Sequence, residues 1–291
     1  MKGNYSKELQ NATGEIRYNM TNDYMFRYVL QKNKKVLKGL ICSILHLEVE
    51  DVKSVEIQNP INMSEDITGK EFILDIQVLL NDNTLINLEM QVNNNYDWTE
   101  RTLSYLCRNY DQLYRGQKYK EVMPVYHIGF LDFSLYPEQQ EFYATYRMLN
   151  VKNHQLYSDK LTIGVIDLSR IELATEEDKA YKIDYWARLF KAKTWEDLKM
   201  LAQNNEYLEE AAESIYKANA DDILMQKCRA REEVERRERT YQRDMKLLQE
   251  VKVELEEEIK GLLQDKEELL QDKESLLKRI EELEKQLGKS K

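Results

Sequence analysis

Two β-rich runs separated by a short polar segment constrain the fold of this chain more than any other stretch. The first run covers residues 72–80 and the second covers residues 84–92. Both are rich in apolar and β-branched residues, which favour strands. The segment Asn81-Asp82-Asn83 between them is typical of a turn. The stretch therefore predicts a β-hairpin.

The length of the loop decides which side chains face each other across this hairpin. A three-residue loop, with Asn83 in the left-handed conformation, pairs Leu80 with Thr84 and places Asp75 opposite Glu89. A two-residue loop would shift the register by one residue and put the two carboxylates on opposite faces. We predict the three-residue loop.

Each strand of the hairpin has one apolar and one polar face, because successive side chains alternate. Glu89 shares a face with Asn87 and Gln91, and Asp75 is on the matching face of the first strand. Two facing carboxylates repel, so either they point into water or a cation lies between them. Mg²⁺ prefers oxygen ligands and fits the second case. Alternation alone leaves both interpretations open, and by itself favours the solvated face.

The order of motifs along residues 15–170 resembles the Rpn family of recombination-promoting nucleases, also called PD-(D/E)XK nuclease family transposases. Asp, a hairpin and then Glu-x-Gln resemble the D…(D/E)-x-K nuclease signature, with Gln91 in the Lys position. The matching residues are Asn22-Asp23-Tyr24-Met25-Phe26-Arg27, Leu74-Asp75-Ile76, Asn87-Leu88-Glu89-Met90-Gln91, Arg101, Tyr105, Gln112-Leu113, Gly116, Tyr119, Met123-Pro124-Val125 and Ile128.

This resemblance implies a Mg²⁺-dependent DNA endonuclease of low sequence specificity, linked to recombination or to mobile-element and phage biology. Asp75 and Glu89 would be the metal ligands, and Asp23 would lie near the metal. Gln91 is neutral and can only hydrogen-bond, so the cationic role of the usual Lys needs another residue. Lys70 and Arg101 are the candidates.

Three further assignments have an ordinary structural alternative. Arg101 and Tyr105 lie in a helix predicted over residues 97–117, which Asp97-Trp98-Thr99-Glu100 opens. Either could contact the substrate, although Arg101 could equally be a structural ion-pair residue. Lys35 belongs to a basic cluster that could bind phosphates or form a solvated face. Asp23 could simply favour a helix start.

The pattern of elements predicts an α/β fold with a central mixed sheet and a restriction-endonuclease-like core. Residues 122–133 form a buried strand in this prediction, with His127 as a satisfied core residue, and two more strands follow near residues 142–151 and 161–168. The predicted domains are a nuclease-like domain over residues 1–172, a helical region over 173–240 and a coiled coil over 241–291.

The coiled-coil prediction rests on leucines that recur every seven residues. These are Leu255, Leu262, Leu269, Leu276 and Leu283. Such spacing over more than four heptads predicts a coiled coil. The alternative, a single helix in solution, would leave the row exposed. Lys266 and Lys273 occupy two of the matching a positions, which disfavours a tight trimer or tetramer. We expect a homodimer.

Composition limits the classes of function. The net charge of -10 excludes a globally basic nucleic-acid binder, so DNA contacts must come from a local patch. It also supports an alternative function, a catalytically degenerate DNA-binding or scaffold protein assembled through its coiled coil. Three widely spaced cysteines fit a reducing cytoplasm, and no apolar run predicts a signal peptide or a membrane span.

Overall fold

The computed structural model describes residues 5–59, 76–111, 113 and 118–288. Lys70, Asp75, Gln112 and Gly116 lie outside the described residues. The helices are α1 (Lys7–Asn11), α2 (Asp23–Lys32), α3 (Lys34–Leu45), α4 (Trp98–Tyr110), α5 (Glu176–Ala180), α6 (Ile183–Lys191), α7 (Trp195–Ala202), α8 (Glu206–Asn219) and α9 (Asp222–Gly288). The strands are β1 (Val55–Ile57), β2 (Ile76–Leu80), β3 (Thr84–Gln91), β4 (Val125–Leu131), β5 (Tyr143–Leu149) and β6 (Leu156–Asp167).

The described strands form one mixed sheet in the order β1-β2-β3-β4-β6-β5. The β2–β3 hairpin and the β5–β6 pair are antiparallel, whereas β3, β4 and β6 run parallel to one another. A parallel pair needs a crossover, and α4 supplies it between β3 and β4. The predicted α/β fold with a central mixed sheet is confirmed.

The hairpin has the predicted register. Leu80 pairs with Thr84 and Ile76 pairs with Leu88, so the loop contains three residues. The left-handed residues are Asn81 (φ 50°) and Asp82 (φ 59°), however, and the prediction of Asn83 for this position is wrong. The Asn81 side chain explains the difference, because its Oδ1 accepts hydrogen bonds from the backbone N–H groups of Lys53 and Ser54, beside β1.

The two faces of the sheet have separate cores. Ile86, Leu88 and Met90 of β3 join the large core formed with the helices on one side, whose buried residues include Phe26 and Trp186. This core takes in α2 and α3, and also α6, α7 and α8 from the later helical part of the chain. The opposite face of β3 lies under α4, where a smaller cluster forms.

The helices begin and end at recognisable caps. Asn22 is the N-cap of α2 and its side chain accepts a hydrogen bond from the N–H of Met25. Asn33 separates α2 from α3 and caps α3 through the N–H groups of Lys35 and Val36. The helix predicted over residues 97–117 ends earlier, at Tyr110, because Asp111 leaves the helical conformation with ψ at 62°.

The chain divides into two compact units, residues 1–235 and residues 236–291. The second unit consists, in its described part, of the later portion of α9. The heptad leucines from Leu255 to Leu283 are between 45% and 69% exposed in the single chain. No helix in the described part of the chain has the length and apolarity that a bilayer crossing requires.

Candidate active site

The candidate site lies between the polar face of β3 and the helix α4. Asn87, Glu89 and Gln91 point to this side, since they alternate with the three apolar residues of the large core. Asn87 is 1% exposed and Gln91 is 8% exposed. The face that alternation alone would assign to water is therefore largely covered.

Arg101 connects the two polar residues of the Glu-x-Gln motif. Its Nη2 lies 3.0 Å from Oε1 of Glu89 and also donates to Oε1 of Gln91. The Gln91 Nε2 donates to the backbone carbonyl of Asn93 at 2.8 Å, which fixes the direction of the amide. The first turn of α4 thus brings a positive charge to the motif.

A buried histidine contacts the other oxygen of Glu89. Nε2 of His127 lies 3.4 Å from Oε2 of Glu89, and Nδ1 of His127 lies 3.1 Å from Nδ2 of Asn87. The register of the parallel strands explains the contact, because β4 places His127 beside Asn87. Oε2 of Glu89 and Nε2 of His127 are buried, and neither has a hydrogen-bond partner in the described part of the chain.

Trp98 fixes the distance of α4 from the sheet. Its indole lies on Gly129, the β4 residue that pairs with Glu89, and a Cβ built on Gly129 would overlap the indole ring. The hydroxyl of Thr102 donates to the carbonyl of Trp98 one turn earlier. The guanidinium of Arg101 lies 5.6 Å from the centre of the Trp98 ring. The glycine therefore permits the close approach that brings Arg101 to Glu89.

Tyr105, predicted to contact the substrate, lies one turn further along α4. Its ring stacks on the His127 imidazole with ring centres 6.2 Å apart. The guanidinium of Arg108 lies over the same Tyr105 ring, 6.0 Å from its centre. The structure thus brings Tyr105 into the same cluster as Arg101, Glu89 and Gln91.

Asp23 takes part in a different contact. Its Oδ2 lies 2.6 Å from Nε of Arg231, near the start of α9, and its side chain is mostly buried. The preceding residue, Asn22, lines a cavity with Val92, the residue that follows the motif on β3. Asp23 is therefore near the carboxyl end of β3, as the site is, but it lies on the helix that covers the opposite face of the sheet.

Lys35 is not brought to the site. It pairs with Glu206 at 2.7 Å, and this hydrogen bond raises the pKa of the ammonium group. It lines a basic cleft beside the start of β1, which pairs with the turn end of the hairpin. Glu89 is five residues from that end of β3, about 17 Å at ~3.4 Å per residue. Lys35 can contact only a different part of any bound substrate.

The sequence prediction missed His127 as a contact of Glu89 and Asn87 as the partner of His127. The signal was present, since Asn87 shares the alternation of Glu89, but His127 lies in an apolar run that reads as core. The strand that carries His127 is predicted to lie beside the hairpin, but its contact with Glu89 depends on the register of β3 with β4, which the order of elements does not determine. Gly129 was missed for the same reason.

The remaining predicted residues, Lys70 and Asp75, lie outside the described residues. The described register, with Ile76 opposite Leu88, is the one in which the sequence pairs Asp75 with Glu89. No group of three His, Cys, Asp or Glu side chains that could hold a metal ion exists within the described ranges. The buried, unpartnered Oε2 of Glu89 fits one ligand of a divalent cation.

Comparison with known families agrees with this arrangement. A family model described as PD-(D/E)XK nuclease family transposase matches residues 20–250. The chain belongs to this family. PD-(D/E)XK nucleases typically use divalent metal ions and act on DNA, so membership places the chain among nuclease- and transposase-related proteins. Searches among curated proteins and among solved structures return no match.

Proposed function

We propose that the protein is a Mg²⁺-dependent DNA endonuclease of low sequence specificity that acts in recombination or in mobile-element and phage biology. The observation that carries the proposal is the Glu89 carboxylate. One of its oxygens is held by Arg101, and the other is buried without a hydrogen-bond partner among the described residues. Nε2 of His127 faces that oxygen at 3.4 Å, and a bound cation would compensate the buried charge more fully.

Asp75 and Glu89 would hold the metal in this proposal. A bound Mg²⁺ supplies an activated water at neutral pH and polarises a phosphoryl oxygen. Glu89 keeps Oε2 for the metal because Arg101 occupies Oε1. Asp75 enters through its position in the motif, and the described register of β2 and β3 is compatible with it.

Arg101 is the proposed replacement for the family's usual Lys. Gln91 has both ends of its amide engaged, by Arg101 and by the Asn93 carbonyl. Its amide therefore orients the guanidinium and adds no charge. The Arg101 side chain is 27% exposed, so its guanidinium can reach a phosphate oxygen while it holds Glu89 and Gln91. Lys70 stays a second candidate, and Tyr105 and Lys35 stay proposed substrate contacts.

A homodimer through the end of α9 completes the proposal. The heptad leucines are about half exposed or more in the single chain, and such a row is normally covered by a partner helix. The exposed Tyr241, Met245 and Leu248 extend the row towards the start of the second unit. Two copies would provide two sites, which suits cleavage of both strands of a duplex.

The first test is cleavage of plasmid DNA by the full chain with Mg²⁺, compared with Asp75→Ala and Glu89→Ala. We expect loss of activity by at least about 10²-fold in each, since the charge stabilisation supplied by a metal is worth several kcal/mol. Glu89→Gln keeps the shape of the side chain and removes its charge, so it separates metal binding from packing. The control is Glu121→Gln, which changes an exposed acid that precedes the start of β4.

The same test distinguishes the proposed nuclease from the competing function. A protein that binds DNA but does not cut it with Mg²⁺ or Mn²⁺ would be the catalytically degenerate DNA-binding or scaffold protein. Gln91 in place of Lys and the net charge of -10 are the features that favour this alternative. Cleavage that survives both carboxylate substitutions would show that the nuclease activity does not come from this site.

A further inference from the structure

The buried His127 is the strongest unexplained feature of the candidate site. It is 0% exposed and lies on β4 with polar neighbours on both sides, Asn87 and Glu89. A buried polar group normally has its hydrogen bonds satisfied, because an unsatisfied one costs about 1–3 kcal/mol. Nε2 of His127 faces Oε2 of Glu89 at 3.4 Å, and both atoms lack a hydrogen bond in the described part of the molecule.

The contacts with Asn87 and Glu89 together determine which nitrogen of the imidazole carries the proton. Nδ2 of Asn87 can only donate, so Nδ1 of a neutral His127 accepts and the proton is on Nε2. Rotating the Asn87 amide by half a turn would move the proton to Nδ1. It would then turn the Nε2 lone pair towards the Glu89 carboxylate, which is unfavourable. The carboxylate therefore selects the Nε2–H form.

Two aromatic rings keep the imidazole in place. Trp98 makes an edge contact with His127 at 5.6 Å between ring centres, and Tyr105 stacks on it at 6.2 Å. Both come from α4, which also carries Arg101. One helix thus positions the group at Oε1 of Glu89 and confines the group that faces Oε2. The carboxylate has no freedom to rotate without losing one of these contacts.

We propose that His127 is a positioning residue that orients Glu89 for a divalent cation, with Asn87 donating to Nδ1 and so supporting the Nε2–H tautomer. The proposal rests on the proposed metal-dependent function. Nε2–H donates to Oε2 from one side and leaves the second lone pair of that oxygen for the cation. Groups that orient metal ligands in this way typically change metal affinity or activity 10–100-fold when they are replaced.

The test compares His127→Leu with His127→Gln. Leu fills a similar volume without a donor, whereas the Gln amide nitrogen can reach about as far as Nε2 and donate to Glu89. Binding of Mn²⁺ to the full chain without DNA is measured by calorimetry, and plasmid cleavage is measured across Mg²⁺ concentrations. We expect 10–100-fold weaker Mn²⁺ binding and a matching shift in Mg²⁺ dependence for His127→Leu, and recovery of most of both by His127→Gln.

The control is Thr162→Val, which replaces a buried polar residue on β6 of the same sheet by an apolar one. It should leave Mn²⁺ binding unchanged. Asn87→Leu, which removes the partner of Nδ1, should weaken Mn²⁺ binding by a smaller factor, and it carries the test if His127→Leu does not fold.

The outcomes separate the two proposals. If the wild-type chain cuts DNA and binds Mn²⁺ and His127→Leu matches it in both, the positioning role is wrong and the proposed function stands. If His127→Gln loses binding as fully as His127→Leu, the imidazole itself is required and the role as a donor is wrong. A wild-type chain that neither binds Mn²⁺ nor cuts DNA overturns both proposals.

Discussion

The polar face of β3 and the leucine row of α9 depart from the usual distribution of side chains in opposite directions. On β3, Asn87, Glu89 and Gln91 are buried or nearly so. On α9, leucines such as Leu262 and Leu269 are 61% and 69% exposed. Each arrangement is unfavourable in an isolated chain, since buried charge and exposed apolar rows both cost free energy.

The difference teaches that each region needs a partner of a different chemistry. The β3 face has partial compensation within the chain, from Arg101 and His127, and Oε2 of Glu89 has no hydrogen-bond partner among the described residues. The proposed cation would complete that oxygen. The leucine row has no covering side chains within the described part of its own unit, and a second helix is the partner that its heptad spacing fits. We therefore expect ligand-dependent behaviour from the first region and concentration-dependent behaviour from the second.

The largest expected effect comes from removing the leucine row. Replacing Leu262, Leu269 and Leu276 together by Gln should convert a dimer to a monomer. Burial of a Leu is worth about 2 kcal/mol, so six buried leucines in two chains contribute on the order of 12 kcal/mol. Light scattering at micromolar concentration measures the mass, and the sheet-containing unit should keep its metal binding.

The matched control changes Glu267, Glu274 and Glu281 to Gln, which have the same seven-residue spacing on another face of α9. That variant should keep the mass of the unchanged protein. A wild-type chain with the mass of one copy, or a leucine variant with the mass of two, would show that the leucine row does not form a dimer contact.

An intermediate effect is expected at the polar face of β3, where Arg101 contacts Glu89 and Gln91. Arg101→Met keeps the length of the side chain over Trp98 and removes the charge beside Glu89 and Gln91. We expect plasmid cleavage to fall roughly 100-fold, equal to about 2.7 kcal/mol, because a donor to the transition state is lost. Arg108→Met, on the same helix over Tyr105, is the control. Equal activity in both variants would mean that Arg101 has only a structural role.

The fold was largely predictable because its signals are local. Alternation along β2 and β3 predicts the hairpin, its three-residue loop and the division of the strand into two faces. The error at Asn83 has a physical cause outside the hairpin. The Asn81 side chain is held by the backbone of Lys53 and Ser54, and the turn adopts its left-handed residues accordingly.

The site was predictable only where its residues lie on one strand or one helix. Glu89 and Gln91 follow from the motif, and Arg101 follows from the first turn of α4. The contact of Glu89 with His127 depends on the parallel pairing of β3 with β4, which joins residues 38 positions apart. Sequence periodicity carries no information about such pairing, so an apolar strand predicts a core histidine whether or not a carboxylate faces it.

The smallest effects come from two glycines, one in each region, which should respond to the same substitution with opposite signs. Gly129→Ala forces the Trp98 indole away from β4, and we expect a loss of about 1–3 kcal/mol in the free energy of unfolding. Gly261 has open space around it in α9, so Gly261→Ala should stabilise that helix by roughly 1 kcal/mol. Urea unfolding followed by the fluorescence of the three buried tryptophans measures the first. Helical circular dichroism during heating measures the second. Destabilisation by both substitutions would mean that Gly261 faces a close partner, which would place the contact surface of α9 on the side of Gly261 and away from the leucine row.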